Sequence, residues 1–252
     1  MHYEVLGRGR PIIFLHGWVG SWRYWVSSMQ VASTSFRAYA LDLWGFGDTA
    51  QDANRYALRQ QVGLVIRFLE AMGIGKVALV GHGLGALVAL SYTMRLPASV
   101  DRIMAVNCPM EFNAIHNRLR TAPFADLVDW LSSRTPAYES ALADASKADP
   151  RAVAASINGL QNDSLFPRLA QFQIPCLLVH GQNDPAIVVP PIEQIISLPE
   201  SVHQIVLEQS GHFPMLDETA KFNRLLTDFL ALDSGVSPRE LQLKEEWKRR
   251  VR

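Results

Sequence analysis

The octapeptide Leu79-Val80-Gly81-His82-Gly83-Leu84-Gly85-Ala86 joins an apolar run to a stretch of small apolar residues. A strand that turns tightly into a helix, with glycines two residues either side of the central position, is the setting that lifts a serine above a sheet for nucleophilic attack. The outer glycines are needed because side chains there would collide with the turn. Here they stand at 81 and 85, and the central position is Gly83, which has no nucleophile. Neither G-x-G-x-x-G nor G-x-x-x-x-G-K-[ST] fits the run, so it does not read as a nucleotide-phosphate loop.

Three further segments carry groups that such chemistry would use. His16-Gly17-Trp18-Val19-Gly20 supplies a turn whose Trp18 N–H, with the N–H of Leu84, could face an oxyanion. His180-Gly181-Gln182-Asn183-Asp184-Pro185 puts a carboxylate at a strand end, and Gln209-Ser210-Gly211-His212-Phe213-Pro214 puts a histidine in a later loop. Each piece alone has an ordinary reading: His16 as a structural loop histidine, Asp184 as a turn residue, His212 as a loop histidine. Asp42 and Asp48, in DLWGFGD, read as acceptors for turn amides. The order elbow, acid, histidine, each at the end of a predicted strand, makes Asp184 and His212 the remnants of a triad. Ser21, Ser91 and Ser210 lie off the turn and are not expected to replace the nucleophile; His82 is expected to point elsewhere. Residue 83 should have φ > 0, where glycine relieves about 1–3 kcal/mol of strain.

The elements that must position these residues alternate. Strands are predicted at Pro11–Leu15, Phe36–Leu41, Lys76–Val80, Asp101–Val106, Ile174–Val179 and His203–Leu207. Helices are predicted at Leu58–Met72, Gly85–Met94 and Phe222–Leu232. Such alternation implies a mainly parallel sheet covered on both faces. From about Met110 to Phe172 it breaks into several helical pieces, read as an insertion. After Leu232, Ser237-Pro238-Arg239-Glu240 has the form of a helix start, and Leu243, Trp247 and Val251 follow at i, i+4, i+8, one stripe of an amphipathic tail helix.

At 252 residues, 48% hydrophobic and with zero formal net charge, the chain can bury one sizeable core and shows no pull toward nucleic acid or an anionic membrane. Cys108 and Cys176 flank apolar runs and form no CxxC pair, which reads as buried thiols of a cytoplasmic protein. Neither a signal-peptide h-region nor a run long enough to span a membrane is expected. The seven histidines are scattered without HExxH spacing, so neither metal nor cofactor is expected.

Taken together, the HGW loop, the DLWGFGDT turn, the GHGLGA run, the HGQNDP acid loop and the SGHFPMLDE loop resemble the α/β-hydrolase superfamily of esterases, lactonases and C–C bond hydrolases, from about Tyr3 to Leu232. The resemblance implies an α/β-hydrolase domain over 1–232, with 110–172 as a small helical cap and 233–252 as a tail. It also implies catalytic positions at Asp184, His212 and 83, and a mostly apolar pocket roof including Phe112, Phe124 and Trp130, with His116, Tyr138 and Phe166. The departure is Gly83. Three readings follow: a silenced hydrolase that binds a small apolar, ester-like ligand; an enzyme in which His212, held by Asp184, acts as general base without covalent catalysis; or an interaction protein with a protein partner at its C-terminal helix.

Overall fold

The computed structural model describes residues 1–133, 135–158, 160 and 164–241. Seven strands form one sheet: β1 (Tyr3–Leu6), β2 (Arg10–Leu15), β3 (Phe36–Leu41), β4 (Val77–His82), β5 (Val100–Val106), β6 (Cys176–Gly181) and β7 (Val202–Leu207). Their spatial order is β1-β3-β2-β4-β5-β6-β7. Only β1 runs antiparallel, pairing Tyr3 with Leu41 and Leu6 with Ala38; the remaining neighbours are parallel. The six predicted strands lie within two residues of their observed ends. The seventh, β1, has all four residues exposed, so no alternation marks it in the sequence.

The central strands are buried on both faces, which is why they read as near-continuous apolar runs. Helices α1 (Val26–Ala32), α2 (Leu58–Ala71), α3 (Leu84–Arg95) and, later in the chain, the long helix following β7 cover the sheet. In α3 nine of twelve residues are buried, so this helix shows no polar face. Between β5 and β6 the described residues form five short helices: α4 (Arg118–Thr121), α5 (Phe124–Leu131), α6 (Pro136–Ala141), α7 (Pro150–Asn158) and α8 (Phe166–Leu169). After β6 come α9 (Ile192–Ile196), α10 (Pro214–Asp217) and α11 (Thr219–Ala231).

The start signal at 237–240 forms a single 3₁₀ turn, Pro238–Glu240, with the Ser237 side chain accepting from the Arg239 N–H. Leu243, Trp247 and Val251 lie outside the described residues. Among the described residues no helix is long and apolar enough to cross a membrane.

Candidate active site

Gly83 stands between β4 and α3 at φ 50°, ψ −110°, a region in which an L side chain is strained. The crossing below it is too tight for side chains: a Cβ on Gly81 would run into the Gly85 carbonyl, and one on Gly85 into the Leu15 carbonyl. The turn therefore has the tight strand-to-helix geometry expected around residue 83, with no side chain at its apex. Leu84 opens α3, so its N–H is one of the first-turn amides that lack an intrahelical acceptor.

What lies over the apex is Trp18. Its indole is fully buried, and a Cβ built on Gly83 would sit 3.2 Å from both Cε3 and Cζ3. The ring is pinned from the other side: its Nε1–H donates to Ser156 Oγ at 2.9 Å. Ser156 belongs to α7, 138 residues away, and its hydroxyl donates onward to the Ala152 or Val153 carbonyl. The proposed oxyanion residue thus also ties the β2 loop to the helical segment between β5 and β6. Nothing in the sequence marks Ser156.

Asp184 and His212 meet. His212 Nδ1 lies 3.0 Å from each Asp184 carboxylate oxygen, and both side chains are essentially buried. Asp184 Oδ1 also accepts from the N–H groups of Ala186 (2.8 Å) and Ile187 (3.2 Å), which fixes the carboxylate and keeps Nδ1 the protonated nitrogen of the imidazole. Nε2 is left with its lone pair; it is buried and has no hydrogen-bond partner among the described residues. A buried polar atom left unpaired costs about 1–3 kcal/mol.

A side chain that the sequence argument missed holds the two loops together. Asn107, at the end of β5, has φ 42°, and asparagine is one of few non-glycine residues that tolerate this region. Its Oδ1 accepts from the Gly181 N–H (2.8 Å), and its Nδ2 donates to the carbonyls of Gly211 (3.1 Å) and His212 (2.9 Å). One amide thereby joins the end of β6, which leads to Asp184, to the loop of His212. The only hint in the sequence is an asparagine at a predicted strand end.

His82 corrects an expectation. It does not point away: strand alternation sends Gly81 toward α3, so His82 faces the opposite side of the sheet, where the His212 loop sits. The His82 and His212 rings lie 4.8 Å apart, edge to face. The Gly17 N–H donates to the Tyr24 hydroxyl oxygen, whose own proton is then directed at His82 Nδ1, 3.0 Å away. Nδ1 is therefore an acceptor, and the ring proton is on Nε2. Burial, and then His212, hold the His82 pKa well below its ordinary value; the His212 backbone opposes this without hydrogen-bonding Nε2. Burial pushes the Tyr24 hydroxyl well up. Both groups therefore stay neutral beneath His212.

The remaining candidates occupy ordinary places. His16 Nδ1 bonds the Gly17 carbonyl at 2.8 Å, and its Nε2 accepts from the Leu43 N–H at 2.9 Å. Asp42 accepts from the N–H groups of Trp22 and Asp48 and contacts His2 Nδ1 at 2.8 Å. His2, Asp42 and Asp48 have ligand atoms within 4.8 Å of one another; these turn bonds and a Lys147–Asp48 ion pair of 2.7 Å account for the grouping. Ser21 caps a 3₁₀ turn, and Ser210 donates to Glu218 at 2.7 Å; Ser91 lies along α3. None is on the elbow.

Of the roof candidates, Phe112 is covered by the Arg120 guanidinium (4.5 Å), and Trp130 by His116 (5.2 Å) and Arg118 (5.0 Å), all from the same segment. Phe124 is partly buried at the start of α5. The aromatic of that segment that reaches the histidine loop is Tyr138, whose ring packs on Phe213 at 5.8 Å and whose hydroxyl donates to Asp217.

The chain is similar to known proteins over most of its length. A relative from Enterobacter cloacae subsp. cloacae, named "Putative carbamate hydrolase RutD", is 28% identical over 88% of this chain and 92% of its own. A hydrolase from Pseudomonas aeruginosa PA01 superposes with a TM-score of 0.79 at 16% identity, covering 91% of this chain and 94% of that one. A serine-to-glycine mutant of the N-acyl homoserine lactonase AidH, complexed with N-hexanoyl homoserine lactone, gives 0.78 at 19%, with 90% and 92% covered. Residues 12–225, which hold the elbow, the acid and the histidine, match the model of the alpha/beta hydrolase family, and the chain belongs to that family.

Proposed function

We propose that this protein binds a small, mostly apolar ester-, lactone- or carbamate-like molecule against the Asp184–His212 pair and forms no acyl-enzyme with it. The single observation that carries the proposal is the turn: residue 83 is a glycine at φ 50° and ψ −110°, a conformation that strains other residues, and it has no side chain to attack with. The unpartnered Nε2 of His212 supports a ligand or water that hydrogen-bonds there. The amides of Trp18 and Leu84 are the proposed donors to a carbonyl oxygen, and residues 110–172, with Phe112, Phe124 and Trp130, the proposed roof. The RutD relatives are named for carbamate hydrolysis, and the AidH mutant is described as complexed with a lactone although a serine has become glycine; both support this ligand class. A cytoplasmic setting belongs to the same proposal, supported by two buried, unpaired cysteines.

A second reading has its own support. Asp184 bonding Nδ1 leaves the Nε2 lone pair as a base, so slow hydrolysis by activated water is a chemistry this site could do. Loss of a serine nucleophile in a protease leaves about 10³–10⁴ over water from the oxyanion hole and binding.

The experiment is calorimetric titration with short acyl esters, lactones and carbamates, followed by intact-mass analysis of the mixtures. Saturable binding with no mass increment is expected, and His212→Ala should weaken it and abolish any slow turnover. A covalent acyl increment, or binding and turnover indifferent to His212→Ala, would overturn the proposal.

A further inference from the structure

One side of the site is the Gly17–Trp18 turn, and the other is His212. Between them lie two buried side chains, Tyr24 and His82, with Phe213 against both. The rings form a connected group. The His82 centroid is 5.6 Å from that of Tyr24, 4.8 Å from that of His212 and 5.4 Å from that of Phe213. Packing alone requires no polar atoms here, and burying them is costly unless they are paired. Yet a polar path runs through the group. The Gly17 N–H donates to the Tyr24 hydroxyl oxygen, and the hydroxyl proton goes to His82 Nδ1, 3.0 Å away. His82 Nε2 meets no hydrogen-bond partner among the described residues, so the bond from Tyr24 is the one that orients the ring and selects its tautomer.

His82 touches both sides of the site. Gly17 comes so close to the imidazole that an added Cβ would sit 2.8 Å from Nδ1 and 3.2 Å from Cε1. The Trp18 N–H belongs to the peptide unit that follows the Gly17 Cα, so the imidazole and the Tyr24 hydroxyl together fix the turn that carries it. On the other side the His82 ring meets the His212 ring edge to face. Asp184 holds His212 at Nδ1 and Asn107 holds it at its carbonyl, but neither bond relates His212 to the Trp18 turn. His82 has a firm base from which to do so: it ends β4 and is paired with Val106 of β5.

We propose that His82, oriented by Tyr24, is a positioning residue that holds the Trp18 turn and His212 in fixed relation to each other. A ligand that bonds both the Trp18 amide and His212 Nε2 depends on that relation. The effect on affinity rests on the ester-like ligand proposed for the site; the effect on His212 does not.

The test is NMR of the unaltered protein and folded variants. The His212 Nδ1 proton, held by a carboxylate, gives a low-field resonance whose exchange with solvent reports how firmly His212 is seated. Tyr24→Phe keeps the ring and removes the hydroxyl. It should let His82 populate both tautomers, read from its ring-nitrogen shifts, and speed exchange of the His212 proton about tenfold. His82→Leu should speed exchange as much, and His82→Asn, whose amide oxygen can accept from Tyr24, should restore slow exchange. The control is Phe68→Leu, since Phe68 packs on Tyr3 and Tyr39; it should lower stability and leave the resonance unchanged. An unchanged His212 signal in folded Tyr24→Phe, equal exchange in His82→Asn and His82→Leu, or exchange sped as much by Phe68→Leu would each overturn the proposal. Calorimetry separates the two effects. Affinity for a short acyl ester or lactone should fall in Tyr24→Phe, and unchanged affinity beside a loosened His212 would overturn the link to binding. An unaltered protein that binds none of these compounds, with the NMR changes as expected, would refute the proposed ligand and support the positioning role.

Discussion

The elbow and the acid–histidine loops meet at one site but hold different things. At the elbow the backbone is complete: φ 50° at Gly83 and glycines at 81 and 85 where carbonyls crowd in. Its side chain is missing, and the Trp18 indole lies over it. In the loops the side chains are complete: Asp184 bonds His212 through both oxygens, two amides hold Asp184, and Asn107 ties the two segments. The turn around Gly83 seats α3 against β2, where Gly85 meets the Leu15 carbonyl, whereas the acid–histidine pair is held by bonds its own side chains make.

The comparison breaks most readily at Asn107. Asn107→Ala removes three hydrogen bonds and strands the buried Gly181 N–H, so stability should fall by about 2–4 kcal/mol in denaturant unfolding. Asn107→Gly, which suits the positive φ, should recover only a small part of that loss. Full recovery by glycine would mean that Asn107 serves its backbone conformation and not the loops.

Gly83→Ala is the next largest. The positive φ alone should cost about 1–3 kcal/mol, and the new Cβ meets Trp18 at 3.2 Å, so the indole must yield by a few tenths of an ångström. Trp18→Leu in the same chain should make the alanine less costly, an interaction visible in a double-mutant cycle. Strict additivity would place Trp18 away from the apex.

The smallest effect is acid sensitivity. Burial lowers the pKa of His180 to about 4 and that of His82 in the same direction. In the unfolded chain these imidazoles take up protons first, so the stability they contribute is complete above pH 6.5 and lost as pH falls toward about 4. Asp149 behaves differently: Arg151, and then Tyr56, bring its pKa to about 2, so its contribution is full above 3.8 and disappears only between there and about 2. Melting temperature against pH should thus decline first through the histidine window, and His180→Phe should flatten that part of the curve. A flat profile from pH 7 to 4 in the unaltered protein would contradict the buried neutral histidines.

Much of the scaffold was legible in the sequence. Short apolar runs between turn residues give the central strands, and the glycine spacing gives the elbow, because close packing admits few residue types there. What escaped lies where local pattern is silent. Strand β1 is exposed throughout. The Trp18–Ser156 bond spans 138 residues. The direction of His82 depends on strand phase relative to α3, not on distance along the chain from position 83. Asn107 has no motif around it, only a conformation that asparagine tolerates.

We propose position 83 as a nucleophile position that has no nucleophile. It is tested most directly by treating the unaltered protein and folded Gly83→Ser with a fluorophosphonate and reading the modified residue by mass spectrometry. The unaltered protein should stay unlabelled, and Gly83→Ser should label stoichiometrically at residue 83, since the new hydroxyl would stand beside His212 and the Trp18 and Leu84 amides. Labelling of the unaltered protein at Ser21, Ser91 or Ser210, or a folded Gly83→Ser protein that never labels, would contradict it.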